Sequence, residues 1–238
     1  ALFTNVPKKA VITALDAKSC IYRIPLMLHE EGLDDIVIER LGLQDKATGP
    51  ANLDDWREVV DRTVNTRHQV TVAMVGKYVE HHDAYKSLTE AITHGGLRQR
   101  IKVDILRVES EDLDGGDLSQ ILDADAILVP GGFGERGFEG KVNAIRHARQ
   151  NRIPYLGICY GMQAAVVEFA RNVCGLEGAH TTEIEPRTPH PVIGLITEWL
   201  DSSGKVERRD EDSDLGGTMR LGGQDCRLRE GSLAHRLY

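Results

Sequence analysis

Between residues 70 and 173 the chain alternates short apolar, β-branched runs with amphipathic stretches, and this alternation constrains its fold more than any other feature. Residues 70–76, 101–108, 126–129 and 153–158 read as strands. Residues 84–97, 117–122, 140–151 and 161–173 read as helices, the first capped by Asp83 and closed by Gly95-Gly96. The pattern predicts an α/β fold, a doubly wound and mostly parallel sheet covered on both faces, with right-handed crossovers. Ligands of such sheets bind beyond the carboxyl ends of the strands. Chemistry is therefore expected at Gly76-Lys77, Glu109-Ser110, the 131–134 loop and Cys159.

The flanks read differently. Residues 1–67 suggest a strand at 1–6, a helix at 25–41 carrying Leu26, Leu28, Leu33, Ile36, Val37 and Leu41, a break at Gly49-Pro50 and a short helix opening at Asp54-Asp55-Trp56. They lack the apolar mass for a core and are expected to form a tail or linker ahead of a domain at 68–238. After Gly175 the pattern turns to β: a strand at 192–199, a charged loop at 201–214, a hairpin of 218–221 with 225–228 around Gly222-Gly223, and the start of a helix at 232–238.

Composition narrows the function classes. The 37 acidic and 29 basic side chains leave a net charge of −8, which argues against nucleic acid as a general partner. No run approaches the roughly 20 apolar residues of a membrane span, and the first residues have no basic stretch ahead of a long apolar one, so no signal peptide is expected. The four cysteines, Cys20, Cys159, Cys174 and Cys226, form no metal-ligand spacing. They read as reduced thiols of a cytoplasmic protein, and no metal site is expected.

The sharpest motif is Gly157-Ile158-Cys159-Tyr160-Gly161, between an apolar strand and an amphipathic helix. It has the spacing of a nucleophile elbow with cysteine in place of serine. The turn is too tight for side chains beside the nucleophile, hence the flanking glycines. It sets the sulfur above the sheet at a helix N-terminus, where the dipole favours thiolate, and points the Tyr160 N–H towards an oxyanion. The same residues also suit a small buried residue at a tight turn. Upstream, Gly132, Gly134 and Gly137 spell G-x-G-x-x-G, but the next strand ends at Cys159 and not at the acid a dinucleotide site needs. A glycine loop offering a backbone N–H to the same oxyanion fits better. Gly76-Lys77 is no phosphate loop, since Thr71 stands where a glycine is required and Tyr78 where Ser or Thr is. None of the nine histidines has a context that marks a general base; His190-Pro191 comes nearest, but Val192 follows in place of an acid.

Gly131-Gly132-Phe133-Gly134, followed by Gly157-Ile158-Cys159 and Gly161-Met162-Gln163, resembles the class I glutamine amidotransferases. Val75-Gly76-Lys77-Tyr78, Asp83-Ala84-Tyr85-Lys86-Ser87, Thr182-Glu183 and the 213–222 stretch resemble more narrowly the CTP synthase family, and the likeness runs through essentially the whole chain. That family phosphorylates UTP with ATP and Mg2+, and aminates it to CTP with ammonia released from glutamine; GTP activates the release. The resemblance implies Cys159 as the nucleophile that forms a glutamyl thioester. It implies Gly132 and Tyr160 as oxyanion donors, and Tyr160, Gly161, Met162, Gln163 and Glu183 as the glutamine site. It places a GTP-associated lid at Arg209, Gly216 and Gly217, an adenine contact at Asp16 and Ala17, and the whole enzyme in a cytoplasmic homotetramer. No covalent cofactor is implied.

Two departures stand out. Leucine is usual where Tyr160 stands, and the family's His-Pro-Glu base and orienter would follow Tyr238, as its nucleotide machinery would precede Ala1. The resemblance thus implies that this chain alone hydrolyses glutamine poorly and makes no CTP. Two other readings remain: a hydrolase or redox sensor of the same fold using the elbow cysteine, against which Glu183 and residues 213–222 speak, and a non-catalytic assembly fragment.

Overall fold

The computed structural model describes residues 5–47, 49–79, 81, 83–194, 198–200, 206–208 and 225–238. Its contacts divide the chain into two compact units, Ala1–Gly194 and Leu195–Tyr238.

In the larger unit, helices α1 (Ile24–Glu30), α2 (Leu33–Leu41) and α3 (Asp54–Val64) precede β1 (His68–Gly76). Then follow α4 (Lys86–Arg98), β2 (Ile101–Glu109), β3 (Ala126–Val129), α5 (Phe138–Asn151), β4 (Tyr155–Gly157) and α6 (Tyr160–Asn172). Strands β1 to β4 form one parallel sheet in the order β2-β1-β3-β4. This is the α/β architecture that the alternation predicts. A two-stranded parallel ribbon, β5 (His180–Thr181) with β6 (Pro191–Ile193), completes the unit. The core joins Ala73 and Val75 of β1, Ile127 and Val129 of β3, Phe138, Val142 and Ile145 of α5, and Tyr160, Ala164 and Val167 of α6. In the smaller unit β7 (Glu198–Leu200) pairs antiparallel with β8 (Val206–Arg208), and α7 (Leu233–Leu237) starts where the Ser232 hydroxyl accepts the His235 N–H.

Several expected boundaries move, each for a local reason. The helix expected over 25–41 breaks into α1 and α2 because Gly32 adopts φ +75°. Helix α4 begins at Lys86 and not under an Asp83 cap, since the Tyr85 hydroxyl is tied to the Lys77 carbonyl at 2.7 Å. Gly95-Gly96 does not close that helix but lies within it; Gly96 lets it sit against β2, where a Cβ would come within 2.7 Å of the Ile101 carbonyl oxygen. The helix expected over 117–122 shrinks to a single 3-10 turn, Ser119–Ile121. The strand expected at 192–199 becomes β6 and β7, and Asp225 to Leu228 form no strand. Of the strand expected at 1–6, Asn5 and Val6 are irregular and the rest lies outside the described residues, as does 218–221.

Described residues of the first 67 pack against α4 and the turn that follows it. Arg100, just after α4, pairs with Asp61 at 2.6 Å and Glu58 at 3.1 Å on α3. Arg62 donates to the Arg98 carbonyl at 3.2 Å, and Tyr22 bonds His94 at 2.9 Å.

Candidate active site

Strand β4 ends at Gly157, and the chain turns through Cys159 into α6. Cys159 carries φ +54° and ψ −108°, a backbone conformation disfavoured for any residue with a Cβ and typical of strained functional turns. Both flanking glycines are sterically required. A Cβ at Gly157 would lie 2.6 Å from the Gly161 carbonyl carbon, and one at Gly161 would lie 2.1 Å from the Val129 oxygen. The turn thus presses α6 directly onto the β3 backbone. Cys159 is exposed, and its carbonyl accepts the Met162 and Gln163 N–H groups at 3.1 and 3.2 Å. The Tyr160 N–H, in the first turn of α6, donates to no backbone carbonyl among the described residues.

The loop after β3 runs alongside. β3 and β4 are adjacent strands, with Val129 opposite Gly157, and the Ile158 N–H donates to the Val129 carbonyl at 2.9 Å. This register sets Gly131 against the nucleophile: its virtual Cβ lies 3.5 Å from the Cys159 Cβ and 3.9 Å from Sγ. Gly132 takes φ +140°, open to glycine alone. Its N–H, and that of Phe133, are unpartnered among the described residues. The Gly134 N–H is taken by Glu183, whose Oε1 accepts it at 2.9 Å. Glu183 thus lies beside this loop as well as being the expected glutamine ligand.

The loop's carbonyls face the interior. Lys77, at the end of β1, donates to the Phe133 carbonyl at 2.7 Å and to that of Gly134 at 3.4 Å. Lys141, on α5, reaches the Gly132 carbonyl at 3.3 Å, and its ammonium sits 5.1 Å from the Tyr160 ring centre. Burial lowers the pKa of both lysines, and the neighbouring Arg136 adds to it; the two also repel each other, and Lys141 is pushed down to about 8. The Tyr160 ring is buried with its edges against Phe133 and Phe138, and its hydroxyl lies 3.4 Å from the Gly134 carbonyl. This ring fills space behind the loop.

Sequence reasoning placed Lys77 at a strand end where chemistry is expected but gave it no role, and it missed Lys141. Lys141 had one signal: it falls among Phe138, Val142 and Ile145 on the core side of α5. Other expected positions play different parts. Ser110 is buried, and Glu109 accepts the Val79 N–H at 2.9 Å. Asp16 and Ala17 lie in an irregular stretch before α1. Arg209, Gly216 and Gly217 lie outside the described residues. No histidine hydrogen-bonds the Cys159 sulfur among the described residues; His180, for one, stacks on Phe138 with its Nδ1 accepting the Thr181 N–H at 2.9 Å.

The model of the class-I glutamine amidotransferases matches residues 80–236. The chain belongs to that family. Among solved structures, this amidotransferase is similar to the glutaminase domain of Trypanosoma brucei CTPS with bound acivicin, at 40% identity and a TM-score of 0.50. That match covers 53% of this chain and 50% of the trypanosome chain, so the two are alike over about half of each.

Proposed function

We propose that this amidotransferase chain is the glutaminase part of a CTP synthase, with Cys159 as its nucleophile. The observation that carries the reading is the elbow: a cysteine held at φ +54° against Gly131 of the glycine loop, with the N–H groups of Gly132 and Tyr160 unpartnered among the described residues. The 40% identity to the trypanosome CTPS glutaminase domain supports the narrower assignment.

In this reading the Cys159 thiolate attacks the side-chain amide carbon of glutamine. The carbonyl electrons move onto oxygen, where the Gly132 and Tyr160 N–H groups stabilise them. The C–N bond then breaks; ammonia leaves with an added proton, and a glutamyl thioester remains on the sulfur. Gly161, Met162 and Gln163 at the start of α6 and the Glu183 carboxylate hold the substrate. Water finally cleaves the thioester to glutamate. The ammonia serves the amination of UTP by the whole enzyme, a homotetramer using ATP and Mg2+ and activated by GTP through the lid at Arg209, Gly216 and Gly217, with Asp16 and Ala17 near the adenine.

Leaving ammonia and attacking water both need positioned proton transfer, which contributes roughly 10²–10⁴-fold in rate. The reading assigns neither transfer to a histidine of this chain, and the thioester is the intermediate it predicts on Cys159. The test is intact-mass measurement after acid quench of the chain with glutamine. A glutamyl adduct on Cys159, absent in Cys159→Ala and released by hydroxylamine, is expected. Rapid ammonia release by Cys159→Ala would overturn the reading.

A further inference from the structure

Resting on the glutaminase reading, we infer that Lys141 is a positioning residue for the oxyanion loop: its buried ammonium, beneath the Gly132 carbonyl and the Tyr160 ring, holds the 132–133 peptide so that the Phe133 N–H faces the Cys159 crevice.

Lysine is almost never fully buried unless paired, yet Lys141 is 1% exposed and forms no ion pair among the described residues. Its partners are a main-chain carbonyl and an aromatic face. Neither offsets the loss of hydration as a carboxylate would. The burial therefore opposes stability, and the geometry shows what it supports. Three successive carbonyls of the loop, those of Gly132, Phe133 and Gly134, all meet Lys141 or Lys77.

In a trans peptide the C=O and the next N–H point in opposite directions. The 133–134 peptide displays this: Lys77 binds its carbonyl and Glu183 its N–H. By the same rule the 132–133 peptide, with its carbonyl drawn inward to Lys141, turns the Phe133 N–H outward. Gly131 places that loop within van der Waals reach of the cysteine. A half-turn of the 132–133 peptide changes ψ of Gly132, which no Cβ restricts, together with φ of Phe133. It would set the Gly132 carbonyl oxygen, in place of the Phe133 N–H, beside the oxyanion that the Gly132 and Tyr160 N–H groups hold. The cation behind the carbonyl opposes that rotation and polarises the peptide, strengthening its donor.

The groups facing Lys141 come from every neighbouring element: Lys77 after β1, Asp114 after β2, Arg136 in the loop after β3, Tyr160 on α6 and Glu183. Burial first, then Lys77 and Arg136, bring its proton loss down to about 8, so the clamp weakens as pH passes that value.

The experiment compares two electrophiles on the 238-residue chain. A chloromethyl ketone analogue of glutamine reacts through an oxyanion, whereas iodoacetamide reacts by direct displacement and needs none. Lys141→Met is expected to slow ketone labelling of Cys159 by about 10–100-fold while leaving iodoacetamide labelling within about twofold. Lys141→Gln, which keeps a neutral donor, is expected to fall between. Between about pH 7 and about pH 9 the ketone-to-iodoacetamide ratio should fall more steeply in the wild type than in Lys141→Gln, because only the former loses a cation near 8. If Lys141→Met fails to fold, this pH comparison decides. Wild-type ketone rates in both folded variants, with parallel pH profiles, would overturn the inference and leave the glutaminase reading intact. A wild-type Cys159 alkylated by iodoacetamide but inert to the ketone would remove both.

Discussion

At the residue scale the site combines strain with buried charge. Cys159 holds a positive φ that costs a residue with a Cβ about 1–3 kcal/mol. Cys159→Gly relieves that strain and gives back part of it through the freer unfolded chain. Chemical denaturation should therefore show Cys159→Gly more stable than the wild type by about 1 kcal/mol, with Cys159→Ala showing no such gain. Neither variant should react with a glutamine analogue. Lys141 opposes stability in a related way. Its folded pKa is lowered to about 8 from an ordinary 10.5, so the unfolded state binds more protons between those values. Stability from this group therefore rises as pH climbs from about 8 towards 10, while the loop's grip on its peptide weakens. Denaturation curves across that range should show the rise in the wild type and not in Lys141→Met.

At the element scale two adjacent glycines in α4 separate backbone freedom from close approach. Gly95 is exposed with nothing within 4 Å of a virtual Cβ, whereas a Cβ at Gly96 meets the Ile101 oxygen and Val103 Cγ2, both at 2.7 Å. Gly95→Ala should stabilise by about 0.5–1 kcal/mol, and Gly96→Ala should destabilise by about 1–3 kcal/mol, both read from denaturant midpoints. Such distinctions were beyond the sequence, in which Gly95-Gly96 looks like a helix stop. The parallel strands were legible because 70–76 and 126–129 are apolar runs ending at glycine or proline, a pattern set by burial on both faces. The helices expected at 84–97, 140–151 and 161–173 were legible to within two residues, whereas that at 117–122 is only a 3-10 turn, and the start of α4 moves where a nearby side chain overrides the cap signal. The Tyr85 hydroxyl on the Lys77 carbonyl displaces the expected cap at Asp83.

Over the whole molecule, the order β2-β1-β3-β4 puts the change in winding direction between β1 and β3. Lys77 bridges these two strand ends by binding the Phe133 carbonyl, so the crevice where ligands of such sheets collect is partly filled by the chain itself. The open position lies one strand further on, between β3 and β4, where Cys159 meets the glycine loop. The elbow was legible because its glycines and cysteine are consecutive; the clamp behind the loop was not, because Lys77 and Lys141 are far apart in sequence and join only through three carbonyls. The central claim, that Cys159 is the nucleophile of a glutaminase, is tested most directly by peptide mapping after brief exposure to acivicin, with and without excess glutamine. The other thiols, Cys20, Cys174 and Cys226, serve as internal comparators, the last two exposed like Cys159. Labelling confined to Cys159 and suppressed by glutamine is expected. Equal labelling of Cys174 or Cys226, or labelling of Cys159 that glutamine does not suppress, would contradict the account.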